Sequence, residues 1–172
     1  DAAAGKPVWE FVTGGSVDSP PTIVAGKVLF GCRDGYVYCL DASDGQLVWR
    51  RRAAPDDRRL VASEQIESLW PVHGSVLMVD GKVYCVAGRS MFLDGGLRFY
   101  RLDPRTGKEI SLSVLNEIDP TTGKNLQDNV TEQTLPPALP DILSSDGTFL
   151  YLRSQRFDLQ GRRPEITARS KK

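Results

Sequence analysis

The chain repeats itself, and a short repeat that cannot bury its own apolar face has to stack on its neighbours. Gly26-Lys27-Val28-Leu29-Phe30 recurs as Gly81-Lys82-Val83-Tyr84-Cys85. Leu40-Asp41-Ala42-Ser43-Asp44-Gly45-Gln46 recurs as Leu102-Asp103-Pro104-Arg105-Thr106-Gly107-Lys108. Gly5-Lys6-Pro7-Val8-Trp9 matches Gly45-Gln46-Leu47-Val48-Trp49, and a fainter copy opens at Asp146-Gly147-Thr148-Phe149. The spacing drifts between copies, which marks insertions between units.

Each unit reads as four strands. The first comprises Thr22–Val24, Lys27–Cys32, Tyr36–Leu40 and Gln46–Arg51; the second comprises Val76–Val79, Lys82–Ala87, Leu97–Leu102 and Lys108–Ser113. Asp34-Gly35 is expected to form a two-residue type I′ turn, whose central positions both need positive φ. That turn pairs Cys32 with Val37 and Phe30 with Cys39. It puts Cys32 and Cys39 diagonally on one sheet face, too far apart for a disulfide. Cys85, which matches Phe30, is expected to point inward, giving three free, mostly buried thiols.

A four-stranded antiparallel meander repeated at this length is a propeller blade. The predicted fold class is therefore all-β: β-propeller blades, about three of them, forming an open arc of a larger propeller. Residues 20–51 and 74–113 are blades, 140–172 a weaker partial blade, and 7–12 the outer strand of a preceding blade. A β-sandwich also has short strands and glycine-rich hairpins. It would not place Leu-Asp-x-x-x-Gly after a Gly-Lys-Val strand twice in the same order.

Two insertions depart from this plan. Residues 53–69 are compatible with a short amphipathic helix or an ordered loop. Residues 116–138 lie in a polar, proline-rich stretch that cannot be a regular strand or helix throughout.

Charge narrows the function. Lys plus Arg and Asp plus Glu each number 22, so no net field draws nucleic acid or an acidic membrane surface. Apolar runs such as Ser75–Val79 are too short to cross a bilayer, so no membrane insertion is expected. Asp1-Ala2-Ala3-Ala4 shows no basic-then-apolar leader.

Leu40-Asp41-Ala42-Ser43-Asp44-Gly45-Gln46-Leu47-Val48-Trp49 resembles the tryptophan-docking repeat of quinoprotein propellers. Those are the pyrroloquinoline-quinone dehydrogenases and their non-enzymatic relatives, including the outer-membrane assembly lipoprotein. In that family an Ala-x-Asp-x-x-x-Gly-x-x-x-Trp pattern closes each blade, with the Trp stacked between neighbouring sheets. Here Cys39 stands at the Ala position; the second copy has Arg101 there and Ser111 at the Trp position.

The resemblance implies a non-enzymatic propeller segment acting as a protein-binding or scaffold module, periplasmic or otherwise outside the cytoplasm. Its partner would be another protein or the remaining blades. The alternative is a set of supporting blades in a quinone-dependent dehydrogenase, with pyrroloquinoline quinone and calcium held by sequence outside this chain.

No catalytic, cofactor or metal residue is expected here. Cys32, Cys39 and Cys85 are not adjacent, and no Cys-x-x-Cys-His is present. An EF-hand reading of Asp41–Gly45 fails, because Arg52 stands where the bidentate acid belongs. His73 is the only histidine, so no imidazole pair or zinc site is available.

Binding is expected on one rim. Trp70–Gly74 leads into the first strand of the second blade, and Arg89–Gly96 joins that blade's second strand to its third. In a meander these two segments share a rim, beside 53–69. Arg58, Arg59, Trp70, His73, Arg89 and Asp94 are the candidate contact residues, since Trp and Arg are frequent binding anchors. The rival reading makes Trp70 a plug between blades and Arg89 a stiffener of its own hairpin through Asp94.

Overall fold

Short runs of β-branched and aromatic residues between turn residues pair with the nearest run, and local antiparallel pairing decides this architecture. The computed structural model describes residues 3–62, 64–116, 140, 142–153 and 155–163, and all regular elements among them are strands. β1 (Thr22–Val24), β2 (Lys27–Gly31), β3 (Tyr36–Asp41) and β4 (Leu47–Arg52) form one antiparallel sheet in that order. β5 (Arg59–Ala62) and β6 (Gln65–Ser68) form a separate hairpin. β7 (Leu77–Val79), β8 (Lys82–Ala87), β9 (Leu97–Leu102) and β10 (Glu109–Leu115) form the second four-stranded sheet. β11 (Leu143–Ser145), β12 (Phe149–Leu152) and β13 (Gln155–Asp158) form a third sheet, of three strands.

The middle strands of the first two sheets are apolar on both faces because each of these sheets is covered from both sides. Leu29, Val37, Cys39 and Trp49 of the first sheet pack on Val83, Cys85, Ala87, Tyr100 and Leu102 of the second. The second sheet's other face, with Tyr84, Val86, Leu97 and Phe99, packs on Leu143, Leu150, Leu152 and Phe157 of the third. The remaining face of the first sheet carries Val28, Phe30, Cys32, Tyr38 and Leu40, with Trp9 and Phe11 laid against it.

The inner strands lie side by side, β1 against β7 and β7 against β11. Thr22 Oγ1 donates to Val76 O, and Leu143 N donates to Ser75 Oγ at 3.0 Å. Sheets that share an inner edge and fan outward from it make an open propeller arc.

The same device locks the first two junctions. In each blade the third-to-fourth turn is closed by paired backbone bonds: Asp41 N to Gln46 O at 2.8 Å, and Asp103 N to Lys108 O at 2.8 Å. A tryptophan from the preceding outer segment lies on the glycine of that turn. Trp49 Nε1 donates to Pro104 O at 2.9 Å, and a Cβ on Gly107 would stand 2.6 Å from the Trp49 ring. Trp9 repeats the arrangement, with Nε1 on Ala42 O at 3.0 Å and its ring on Gly45.

The third junction replaces the tryptophan. Its turn, Asp158 to Arg162, is one residue shorter but keeps the bond from Asp158 N to Arg162 O at 3.0 Å. Tyr84 Oη donates to Leu159 O at 2.8 Å, and Ser111 Oγ donates to Gln160 O at 3.1 Å. Phe99 and Phe157 stack with centroids 4.5 Å apart.

Four expectations need correction or limits. The Asp-Gly turn is a three-residue loop, Arg33-Asp34-Gly35, with Gly35 N on Cys32 O at 3.1 Å and Cys32 N on Tyr36 O at 3.0 Å. Of the three residues only Gly35 has positive φ, 86°. A type I turn closed by one left-handed glycine needs a single such position where type I′ needs two. The register becomes Leu29 with Cys39 and Phe30 with Tyr38, a slip of one residue. Such a slip exchanges faces, so Cys39 enters the core between the first two sheets and Cys32 the opposite face.

Residues 59–62 and 65–68 pair as a β-hairpin rather than forming a helix or loop, with Leu60 and Val61 opposite Glu67 and Ile66. Residues 7–12 form no strand, since no described strand lies beside them to complete a ladder. The partial third blade shows three strands over 143–158, while 117–139 and 164–172 lie outside the described residues.

Candidate interaction rim

The rim opposite the docking turns is built from the loop 33–35, the hairpin β5–β6, the approach 69–74 and the tip 88–96. Backbone bonds tie these segments together: Val72 N to Cys32 O at 3.0 Å, Ser68 N to Arg33 O at 2.8 Å and Gly88 N to Pro71 O at 3.0 Å.

Four of the six candidate residues meet here. Trp70 is 2% exposed, and its Nε1 donates to Asp94 O at 2.7 Å. Arg89 Nη2 lies 2.8 Å from Asp94 Oδ2, and its Nε donates to Leu69 O at 3.3 Å. Asp94 adopts a left-handed φ of 56°, an unusual conformation for a residue with a side chain, held by both of these attachments. The Arg58 guanidinium sits 4.8 Å over the Trp70 ring and pairs with Asp56 at 2.9 Å. Trp70 is therefore a strut under the surface; Arg58 is exposed, and the Arg89 and Asp94 side chains are part-exposed.

His73 joins an adjoining cluster. Its Nδ1 lies 2.8 Å from Asp18 Oδ2, which also accepts from Arg33 Nε at 2.7 Å. Arg33 Nη1 reaches Glu67 at 3.1 Å, and Glu67 is buried. Desolvation pushes the Asp18 carboxyl up, but hydrogen bonds from Arg33 and His73 outweigh it and leave its pKa below the ordinary aspartate value. Arg59 stands apart on β5, exposed.

The sequence reading missed Asp18, Arg33 and Glu67. One signal was present: Asp18 precedes the inner strand β1 at the distance at which His73 precedes β7. Nothing local marks Arg33 or Glu67.

Chemically, apart from Arg59, the rim is a set of mutually satisfied charges on a stiff base. Quinone and calcium, which the resemblance ties to its enzymatic branch, do not fit the described residues. No three His, Cys, Asp or Glu side chains converge among them, and β1, β7 and β11 carry neither carboxylate nor imidazole. No described helix is long and apolar enough to cross a membrane.

The family model described as outer membrane protein assembly factor BamB (PQQ_2) matches residues 1–139. A curated relative, the dehydrogenase subunit of alcohol dehydrogenase (quinone) from Komagataeibacter europaeus, is 30% identical, over 80% of this chain and 20% of its own. Quinohemoprotein alcohol dehydrogenase ADHIIG from Pseudomonas putida HK5 superposes with a TM-score of 0.55 at 23% identity, covering 78% of this chain and 20% of that one. Quinohemoprotein alcohol dehydrogenase from Comamonas testosteroni gives 0.52 at 18% identity, covering 78% and 21%. At such identities the structural likeness is one of fold, and this chain spans about a fifth of each relative's length. The docked blades and the match over residues 1–139 lead to one conclusion: the chain belongs to the PQQ-repeat propeller family whose model is described as outer membrane protein assembly factor BamB.

Proposed function

We propose that these blades are a non-enzymatic stretch of a larger propeller, located outside the cytoplasm, that serves as a scaffold and protein-binding module. The observation that carries this reading is the rim: Trp70 fastens Asp94 from below and Arg89 clasps it from above. Binding surfaces are commonly loops held by a rigid scaffold, and here two docked tryptophans supply the rigidity. The partner is a protein; the remaining blades close the arc.

Reconstitution of the full-length polypeptide with pyrroloquinoline quinone and calcium tests the reading. The expected result is no bound chromophore and no alcohol-dependent dye reduction; turnover would overturn it. Cell fractionation, in turn, is expected to place the protein outside the cytoplasm.

A second reading is favoured by the relative that is 30% identical and named a quinone alcohol dehydrogenase. In it the same blades buttress a cofactor site contributed by other parts of the polypeptide. Turnover in the reconstitution above is its expected result.

A further inference from the structure

We propose that the outer edge of β5 is a docking site for an extended, acidic segment of a protein partner, added as a strand beside Arg59 and Val61. The inference rests on the protein-binding reading above and names where and what the module binds.

The hydrogen-bond phase of the hairpin carries the argument. Leu69 N donates to Arg58 O at 3.0 Å, so Arg58 turns its carbonyl toward β6. In an antiparallel pair, residues alternate between facing the partner strand and facing away. Leu60 and Ala62 therefore share Arg58's direction, and the main-chain groups of Arg59 and Val61 point to the free edge. Ser68, opposite Arg59, fits this phase: its N–H leaves the hairpin and reaches Arg33 O at 2.8 Å. Among the described residues β5 pairs with β6 alone, and none of their backbone groups bonds its outward row.

The face above that edge is apolar. Val61 and Ile66 are direct cross-strand neighbours, 74% and 63% exposed. Arg59 shares their face, is exposed, and has no counter-ion among the described residues. Exposed strand edges invite pairing, and natural proteins usually cover or blunt them.

A lone hairpin is marginal in water, but this one is pinned. Glu67 is buried against Arg33 at 3.1 Å, and Ser16 Oγ reaches Gln65 Oε1 at 2.5 Å. A pinned edge is pre-ordered, which lowers the entropy cost of adding a strand. The unpaired guanidinium selects the partner: an extended peptide whose aliphatic side chains meet Val61 and Ile66 and whose carboxylates meet Arg59.

The test uses the full-length polypeptide and a capped fluorescent peptide of alternating glutamate and valine, with a lysine–valine peptide as control. Fluorescence anisotropy is expected to show binding of the glutamate peptide only. Val61→Pro removes an outward N–H without touching the hairpin's own bonds, and is expected to abolish binding while leaving the melting temperature in place. Arg59→Glu is expected to weaken the glutamate peptide by about tenfold, the size of one lost charge-assisted contact, and to admit the lysine peptide. No binding to the wild type, or equal binding to wild type and Arg59→Glu, would overturn the site. So would sedimentation showing that the edge pairs with a second copy of itself. Any of these leaves the scaffold reading standing, because the quinone reconstitution decides that separately.

Discussion

Trp70 donates its indole N–H to the main-chain oxygen of Asp94 at 2.7 Å, fastening the tip of the second blade's hairpin from beneath. Trp70→Phe keeps most of the apolar volume but leaves that carbonyl unpaired. The expected cost is about 1 kcal/mol in denaturant unfolding. Trp70→Ala removes the ring from a site only 2% exposed, with an expected cost of about 3–5 kcal/mol.

The junctions differ in what holds them, and their variants should differ accordingly. Trp49 is 8% exposed and hydrogen-bonded to Pro104 O, so Trp49→Ala is expected to cost about 3–5 kcal/mol. At the third junction the docking bond comes from Tyr84. Tyr84→Phe is expected to cost about 1 kcal/mol, and Ser111→Ala no more than about that. A larger loss for Ser111→Ala than for Tyr84→Phe would show that the serine, and not the tyrosine, has taken the tryptophan's place.

How far the sequence was legible follows from how local each feature is. The blades were legible because Gly-Lys-Val strands and Leu-Asp-x-x-x-Gly turns repeat in order, and Trp9 and Trp49 fall where docking requires them. The loop 33–35 was misread because Asp-Gly suits two turn families. The wrong choice shifts the register by one residue and puts Cys32 and Cys39 on one face, whereas the observed loop sends them to opposite faces. Tyr84 was invisible as a docking residue, since it comes from a second strand and meets a turn one residue short. At the rim, chain order placed Trp70, Arg89 and Asp94 together, but Asp18 and Glu67 arrive from distant segments that no spacing connects to His73.

The Asp18 cluster makes stability depend on pH in a stated direction. The folded carboxyl titrates below the ordinary value of 3.8 because Arg33 and His73 bond to its charged form despite desolvation. Between the two values the unfolded chain binds more protons, so this contribution is present above 3.8 and is lost as pH falls through the folded value. Asp18→Asn is expected to flatten the acid limb of a stability-against-pH curve. An unchanged acid limb would show that the cluster contributes nothing.

The three thiols are buried and form no disulfide. Burial pushes Cys32 and Cys39 up to about 11 and Cys85 up to about 12. At pH near 8 the thiolate, the reactive form, is scarce in all three. A maleimide label with peptide mapping is expected to leave these cysteines unmodified in the native protein and to modify all three in denaturant.

The rim substitutions His73→Ala and Arg89→Ala, made together, test the scaffold account most directly. Both side chains are part-exposed, 23% and 28%, and each leaves its carboxylate partner accessible to solvent, so the expected stability loss is at most about 1 kcal/mol per site. Capture of the protein's partner, measured per folded molecule by quantitative cross-linking in cells, is the readout. The account expects a nearly unchanged melting temperature and reduced capture. A sharp fall in melting temperature with undiminished capture by the folded fraction would contradict it, leaving the rim as reinforcement between blades.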